Sequence, residues 1–183
     1  SNSTDRFGNQ LPIHVNSICS NGTTVPPTSF STPRVTLRDT VQRVVATSNG
    51  VAQINHPNYF YALTASDIAF ADGARLIEIA NQHKDANNAG DAMHPSVETI
   101  WDDVLSAGHL LYGVASDDSH AVSPKSWSPP GRGWVAVATP VLTPAAVCAS
   151  LVSGDFYAST GVEIGAIRVT DSTISLTIIP SPG

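Results

Sequence analysis

Apolar positions recur along the chain in two periods, and segments of the two kinds alternate. Leu37, Val41, Val44 and Val45 fall on one helical stripe. It opens at Thr36, with Asp39 three residues on in a capping-box-like position, and Gly50 closes it. Residues 51–55 read as a short apolar strand ending in His56-Pro57. A short helix is expected around 64–72, then a strand over 75–80 that carries Glu78. Val97, Ile100, Trp101, Val104 and Leu105 line a helix started by Pro95-Ser96 and stopped by Gly108. Residues 110–115 form the next strand and run directly into Ser116-Asp117-Asp118-Ser119-His120. A strand over 134–138 precedes a helix that begins at Thr143-Pro144, a favourable N-cap and N1 pair, and ends at Gly154. Three alternating stretches, 156–158, 164–169 and 173–179, read as strands.

The segments between are polar. Residues 1–34 are turn-rich apart from an alternating stretch over 11–16 that contains His14, and Pro26, Pro27 and Pro33 make 20–34 a loop. The 82–94 loop carries His83 and His94, both read as surface residues, and a Pro/Gly/Ser-rich loop over 121–133 carries Arg132. Helices alternating with strands predict an α/β fold with a largely parallel sheet, closed at its C-terminus by an antiparallel hairpin or edge. No internal repeat and no linker divides the chain.

Composition narrows the function classes. The 183 residues suffice for one domain with a hydrophobic core. Charged residues make up 13%, with only two lysines, Lys84 and Lys125, and the net charge is −6. Without a basic cluster to neutralise phosphates, nucleic acid is not an expected partner. No apolar run nears the roughly 20 residues of a membrane span, and no targeting segment is visible, so cytoplasmic and exported locations both stay open. Cys19 and Cys148 could form one disulfide or stay buried thiols, and base rates lean towards thiols.

Chemistry is expected beyond the C-terminal ends of the strands, where parallel α/β folds place their functional groups. His56 ends one strand, and Asp118 and His120 follow another. Glu78 lies within a third, and His14 sits in the first alternating stretch. In an extended segment residues i and i+2 point the same way, so Asp118 and His120 could share one ion. Pro57 should hold His56 extended. Imidazole with carboxylate suits zinc, manganese or iron better than magnesium or calcium. Glu78, inside an apolar run, needs a buried partner or a role at the site. Each of these residues also has a bland reading as a solvated turn, a cap or a packed side chain. No nucleophile elbow, P-loop or dinucleotide fingerprint is present.

The order Ile54-Asn55-His56-Pro57-Asn58, Ile77-Glu78-Ile79-Ala80-Asn81, Tyr112-Gly113-Val114-Ala115-Ser116-Asp117-Asp118-Ser119-His120 resembles PHP-domain (polymerase and histidinol phosphatase) phosphoesterases. So do the downstream runs Gly133–Val137, Leu142-Thr143-Pro144 and Gly154–Gly161. The resemblance covers roughly residues 5–165. It implies the C-terminal half of a distorted (β/α)7 barrel over 1–160, with 161–183 as a strand extension of the same domain. It implies His14, His56, Asp118 and His120 as ligands to two or three divalent transition metals in the complete protein. Glu78 and Arg132 would serve a small phosphorylated substrate. The family's opening HxH, Thr-Asp-His and Glu motifs are absent here, so a preceding segment or a second chain is expected to complete the site. The activity implied is metal-dependent hydrolysis of phosphate esters. The alternatives are a non-catalytic α/β scaffold or binding module with an incomplete site and, further off, hydrolysis of a carbon–nitrogen bond.

Overall fold

The computed structural model describes residues 2–4, 10–24, 32–123 and 128–180. In chain order these form β1 (Asn2–Thr4), β2 (Gln10–Pro12), β3 (Val15–Ile18), α1 (Pro33–Val45), β4 (Val51–Ile54), a 3-10 turn (Tyr59–Tyr61), α2 (Ala65–Phe70) and β5 (Leu76–Asn81). Then follow α3 (Val97–Ser106), β6 (Tyr112–Ser116), β7 (Trp134–Val137), α4 (Pro144–Ser153), β8 (Phe156–Ser159), β9 (Glu163–Val169) and β10 (Ile174–Ile179).

The centre is a four-stranded mixed sheet in the order β3-β4-β5-β6. β4, β5 and β6 run parallel, and β3 lies antiparallel to β4. Alternation along the strands sorts the side chains to two faces. Ala52, Ile54 and Ile77 join Leu37, Val41, Val44, Ile100 and Val104 in the main core beneath the helices. Val51, Leu76 and Val114 point the other way, onto Ile18, Tyr112, Val135 and Phe156. Cover on both sides explains why all four β4 residues are buried, Gln53 included, whose amide donates to Asn55 Oδ1.

A barrel is not formed, which corrects the (β/α)7 expectation. β3 reverses direction at one edge of the sheet. Past β6 the chain leaves the sheet, because β7 pairs antiparallel with β8 and not with β6. The rest is two hairpins, β1–β2 and β9–β10, and four α-helices among the described residues. Four strands with one reversed edge cannot close on themselves.

Local signals account for most element ends. Ser96 caps α3 through Thr99 N–H, Thr143 caps α4 through Ala146 N–H, and Gly154 takes the left-handed conformation that ends α4. Thr64 and Asp67 form a reciprocal capping box on α2. The first helix departs from expectation: it starts at Pro33 behind Thr32, a turn earlier than Thr36, because Pro33 has the fixed φ that suits N1. The two cysteines form a disulfide, Cys19–Cys148, with Cα atoms 5.9 Å apart, and not the thiols that base rates favoured. It ties the end of β3 to α4.

Candidate functional site

The C-terminal ends of β4, β5 and β6, with the start of β3, make one rim. β3 is antiparallel, so its first residues lie beside the end of β4. Val15 faces Ile54, and the Asn55 N–H donates to the His14 carbonyl (3.1 Å). That register brings two residues 42 positions apart together: His14 Nδ1 lies 3.0 Å from His56 Nε2. Their rings meet edge to face with centroids 4.9 Å apart, and Tyr59 packs on His56 at 5.1 Å.

Glu78 is the organiser beneath. Only 3% exposed, it accepts three hydrogen bonds: the His56 backbone N–H (2.7 Å) and Asn81 Nδ2 (2.9 Å) on Oε2, and the Ser116 hydroxyl (2.6 Å) on Oε1. One carboxylate thereby fixes the ends of β4, β5 and β6 relative to each other. This answers the question of why a carboxylate stands in an apolar strand. Asn81 Nδ2 also reaches Asp118 Oδ2 at 3.3 Å, so a single amide links the two carboxylates.

The backbone at the rim is not extended. His56 has φ of 25° and Asp118 of 45°, both in the left-handed region. Pro57 therefore does not hold His56 extended, since the hydrogen bond to buried Glu78 overrides the local preference. The i, i+2 argument for Asp118 and His120 fails for the same reason. His120 instead folds back, its Nδ1 2.8 Å from the Asp118 carbonyl oxygen. Its exposed ring lies against His83, centroids 5.2 Å apart.

His83 was expected at the surface, yet its side chain is only 10% exposed and lies between Tyr59 and His120. The Asp85 N–H donates to His83 Nδ1 (3.2 Å), which sets the neutral tautomer with its proton on Nε2. Its position two residues past Asn81, at the end of β5, was the signal available. The 82–94 segment is ordered by asparagines that periodicity does not see. Asn58 Nδ2 donates to the carbonyls of Asn87 and Pro95, and Asn88 makes a two-way pair with the Asn81 backbone.

Asp117 and Arg132 brace the neighbouring loop. The Asp117 carboxylate accepts the N–H groups of Gly131, Arg132 and Gly133 at 2.7, 2.6 and 2.8 Å. Burial alone would raise its pKa, but the three amides and the Arg132 charge outweigh that and hold it below the ordinary value. Arg132 Nε donates to the Pro129 carbonyl (3.0 Å), and its Nη2 is buried without a hydrogen-bond partner. No contact joins the guanidinium to the histidine rim among the bonds described.

The electrostatics favour neutral imidazole at His14. Desolvation of its ring, then the adjacent His56, lower its pKa, while Asp118 pulls the other way. Neutral imidazole is the form that ligates metal. Bonds of about 2.0–2.1 Å put two adjacent nitrogen ligands about 2.9–3.4 Å apart, between octahedral and tetrahedral angles. The 3.0 Å His14–His56 separation is that of an N–H···N hydrogen bond between the rings, and it also falls in that range, so a cation can take the place of the shared proton. Among the described residues no group of three or more His, Cys, Asp or Glu converges to hold an ion. The rim thus brings His14, His56, Glu78, Asp118, His120 and His83 together in two edge-to-face histidine pairs, and His14–His56 is the one with ring nitrogens described 3.0 Å apart. Comparison with family models, curated proteins and solved structures gives no match for this chain.

Proposed function

We propose that the rim is a divalent-metal site of a phosphate-ester hydrolase. The observation that carries this reading is the His14–His56 pair, two imidazoles facing nitrogen to nitrogen at metal-ligand spacing. The order of the His-Pro, Glu and Asp-Asp-Ser-His motifs, which resembles PHP-domain phosphoesterases, supports it. His14 and His56 would hold the cation, with Asp118, whose charge is felt at His14, as a further donor. A bound zinc, manganese or iron ion would supply Lewis acidity and offset the phosphate charge.

The chain's own residues do the rest. Glu78 pins the His56 backbone and so the height of its ring over the rim. Asn81 holds the Asp118 carboxylate by one oxygen and leaves the other to a cation or a substrate hydroxyl. His83 lies between Tyr59 and His120, and this row of rings borders the rim where a phosphate would approach. Tyr59 packs on the buried His56 ring, while His14 stays open to solvent.

Calorimetric titration of the 183-residue chain with zinc or manganese tests the site, and release of nitrophenol from bis(p-nitrophenyl) phosphate tests the reaction. Binding that disappears in the paired variant His14→Ala/His56→Ala, with metal-dependent turnover in the parent, is the expected result. Flat titrations of the folded parent would refute the metal reading. Metal binding without turnover would favour the second reading, a binding module. One observation leans that way: the Glu78 carboxylate is committed to three internal hydrogen bonds.

A further inference from the structure

The β9–β10 hairpin is a two-stranded ribbon that gathers six of its large apolar side chains on one face and leaves Ile179 on the other. Directly opposed residues of an antiparallel pair point the same way. The register pairs Val169 with Ile174 and Ile167 with Leu176. It then shifts by one, so that Ile178 faces Ile164 across the irregularity next to Gly165. Without that bulge Ile164 would turn to the other face, since a one-residue slip reverses every side chain beyond it. The bulge therefore extends a continuous apolar strip of six residues. The opposite face carries the pairs Arg168–Ser175, Ala166–Thr177 and Glu163–Ile179, so it mixes charge, hydroxyls and one isoleucine.

Five of the six apolar residues are exposed, Ile174 at 72% and Val169 at 68%. Neither core cluster includes any of them. Isolated two-stranded ribbons are marginal in water, and single-sided apolar strips need a partner layer.

We infer that this strip is the interface of a homodimer, in which the β9–β10 ribbons of two copies pack face to face. Three observations select a second copy. The strip bears no charge, so a two-fold pairing that sets each side chain against its own mate meets no like-charge repulsion. Ile and Val rows of equal length on both strands interdigitate with themselves as the inner faces of a β-sandwich do. The exposed area of the six residues is roughly 600 Å² per copy, or about 1,200 Å² for the pair, just above the roughly 1,000 Å² that a specific interface needs. The histidine rim takes no part, so the inference stands apart from the proposed activity.

Light scattering coupled to size exclusion on the oxidised chain, from about 1 to about 100 μM, is the test. A dimer is expected in the upper range. Leu176→Lys puts a charge into the strip and should weaken association at least about 100-fold, leaving a monomer. Thr177→Lys, one residue along and on the polar face, should dimerise like the parent. Far-UV circular dichroism and the presence of the disulfide confirm that both variants are folded. A parent monomeric throughout, or a Leu176→Lys chain that still dimerises, would overturn the inference. So would assemblies larger than a dimer that persist in Leu176→Lys, because these would come from edge pairing of β10 and not from the face.

Discussion

Glu78→Gln is the most informative single change, because it keeps shape and burial and alters only what the carboxylate accepts. The three donors it receives, from His56, Asn81 and Ser116, all need an acceptor oxygen. A glutamine offers one oxygen and one NH2. If its oxygen faces His56 and Asn81, the NH2 faces the Ser116 hydroxyl, which can rotate to accept; the loss is then two charge-assisted bonds weakened to neutral ones. If it is flipped, two donors meet an NH2. The first arrangement is cheaper. Bonds to a charged group contribute about 1.5–3 kcal/mol and neutral ones about 1, so the expected destabilisation is roughly 2–3 kcal/mol. Urea unfolding followed by tryptophan fluorescence measures it directly. For a chain of this size each kcal/mol lowers Tm by about 2–4 °C, so a fall of roughly 5–10 °C should accompany it. A second readout separates site from stability. With its backbone anchor weakened, His56 should lose metal affinity by about 10–100-fold, as outer-shell changes do elsewhere. A Glu78→Gln chain within about 0.5 kcal/mol of the parent would refute the reasoning, since a carboxylate binding three strand ends cannot be replaced that cheaply.

Other expectations follow from single contacts. Replacing both cysteines by serine opens a cross-link spanning 129 residues, and the chain-entropy model puts the loss near an upper value of about 5 kcal/mol. A difference under about 1 kcal/mol in urea between oxidised and double-serine chains would contradict that. The Asp91 carboxyl is held down to about 2 by the Met93 N–H first, then by the Tyr61 hydroxyl and His94. Because the folded value is depressed, its stabilising contribution is present above the ordinary carboxyl range and is lost as pH falls through about 2. An NMR titration should show that midpoint in the parent and a higher one in Tyr61→Phe. Gly113→Ala would set a Cβ 2.7 Å from Ile79 Cδ1 within the β5–β6 contact, an overpacking expected to cost about 1–3 kcal/mol in thermal or urea melts.

The elements were readable because their signals are local. Thr143-Pro144, Ser96 and Gly154 act within one turn, and the apolar stripes of α1 and α3 need only a few neighbours to interpret. The barrel expectation failed because sheet order is not local. Nothing in residues 15–18 announces that they pair antiparallel to β4, and nothing in residues 134–137 announces that they pair with 156–159 and not with β6. The rim follows the same division. That His14, His56, Asp118 and His120 belong to one end of the sheet could be anticipated from strand ends. Their relation could not, because it depends on the left-handed backbone at His56 and Asp118 and on the asparagines that hold it. His83 was passed over because a histidine in a polar, aperiodic segment carries no pattern. Hydrogen bonds of Asn58, Asn81, Asn87 and Asn88, far apart in sequence, tie that segment to the ends of β4 and β5.

The cross-link has one more consequence, for the chain as a covalent object. Cys19 and Cys148 bracket α1 to α3, the parallel strands and every residue of the rim except His14, which lies five residues before Cys19. A backbone cut anywhere between them yields two pieces that remain one molecule. Exposed turns around Met93 or Val122 could be nicked without shedding either half of the histidine cluster. On a gel such a chain would migrate near full length until reductant is added, and only then separate. Persistence in a protease-rich setting would thus be governed by thiol chemistry at a point remote from the rim.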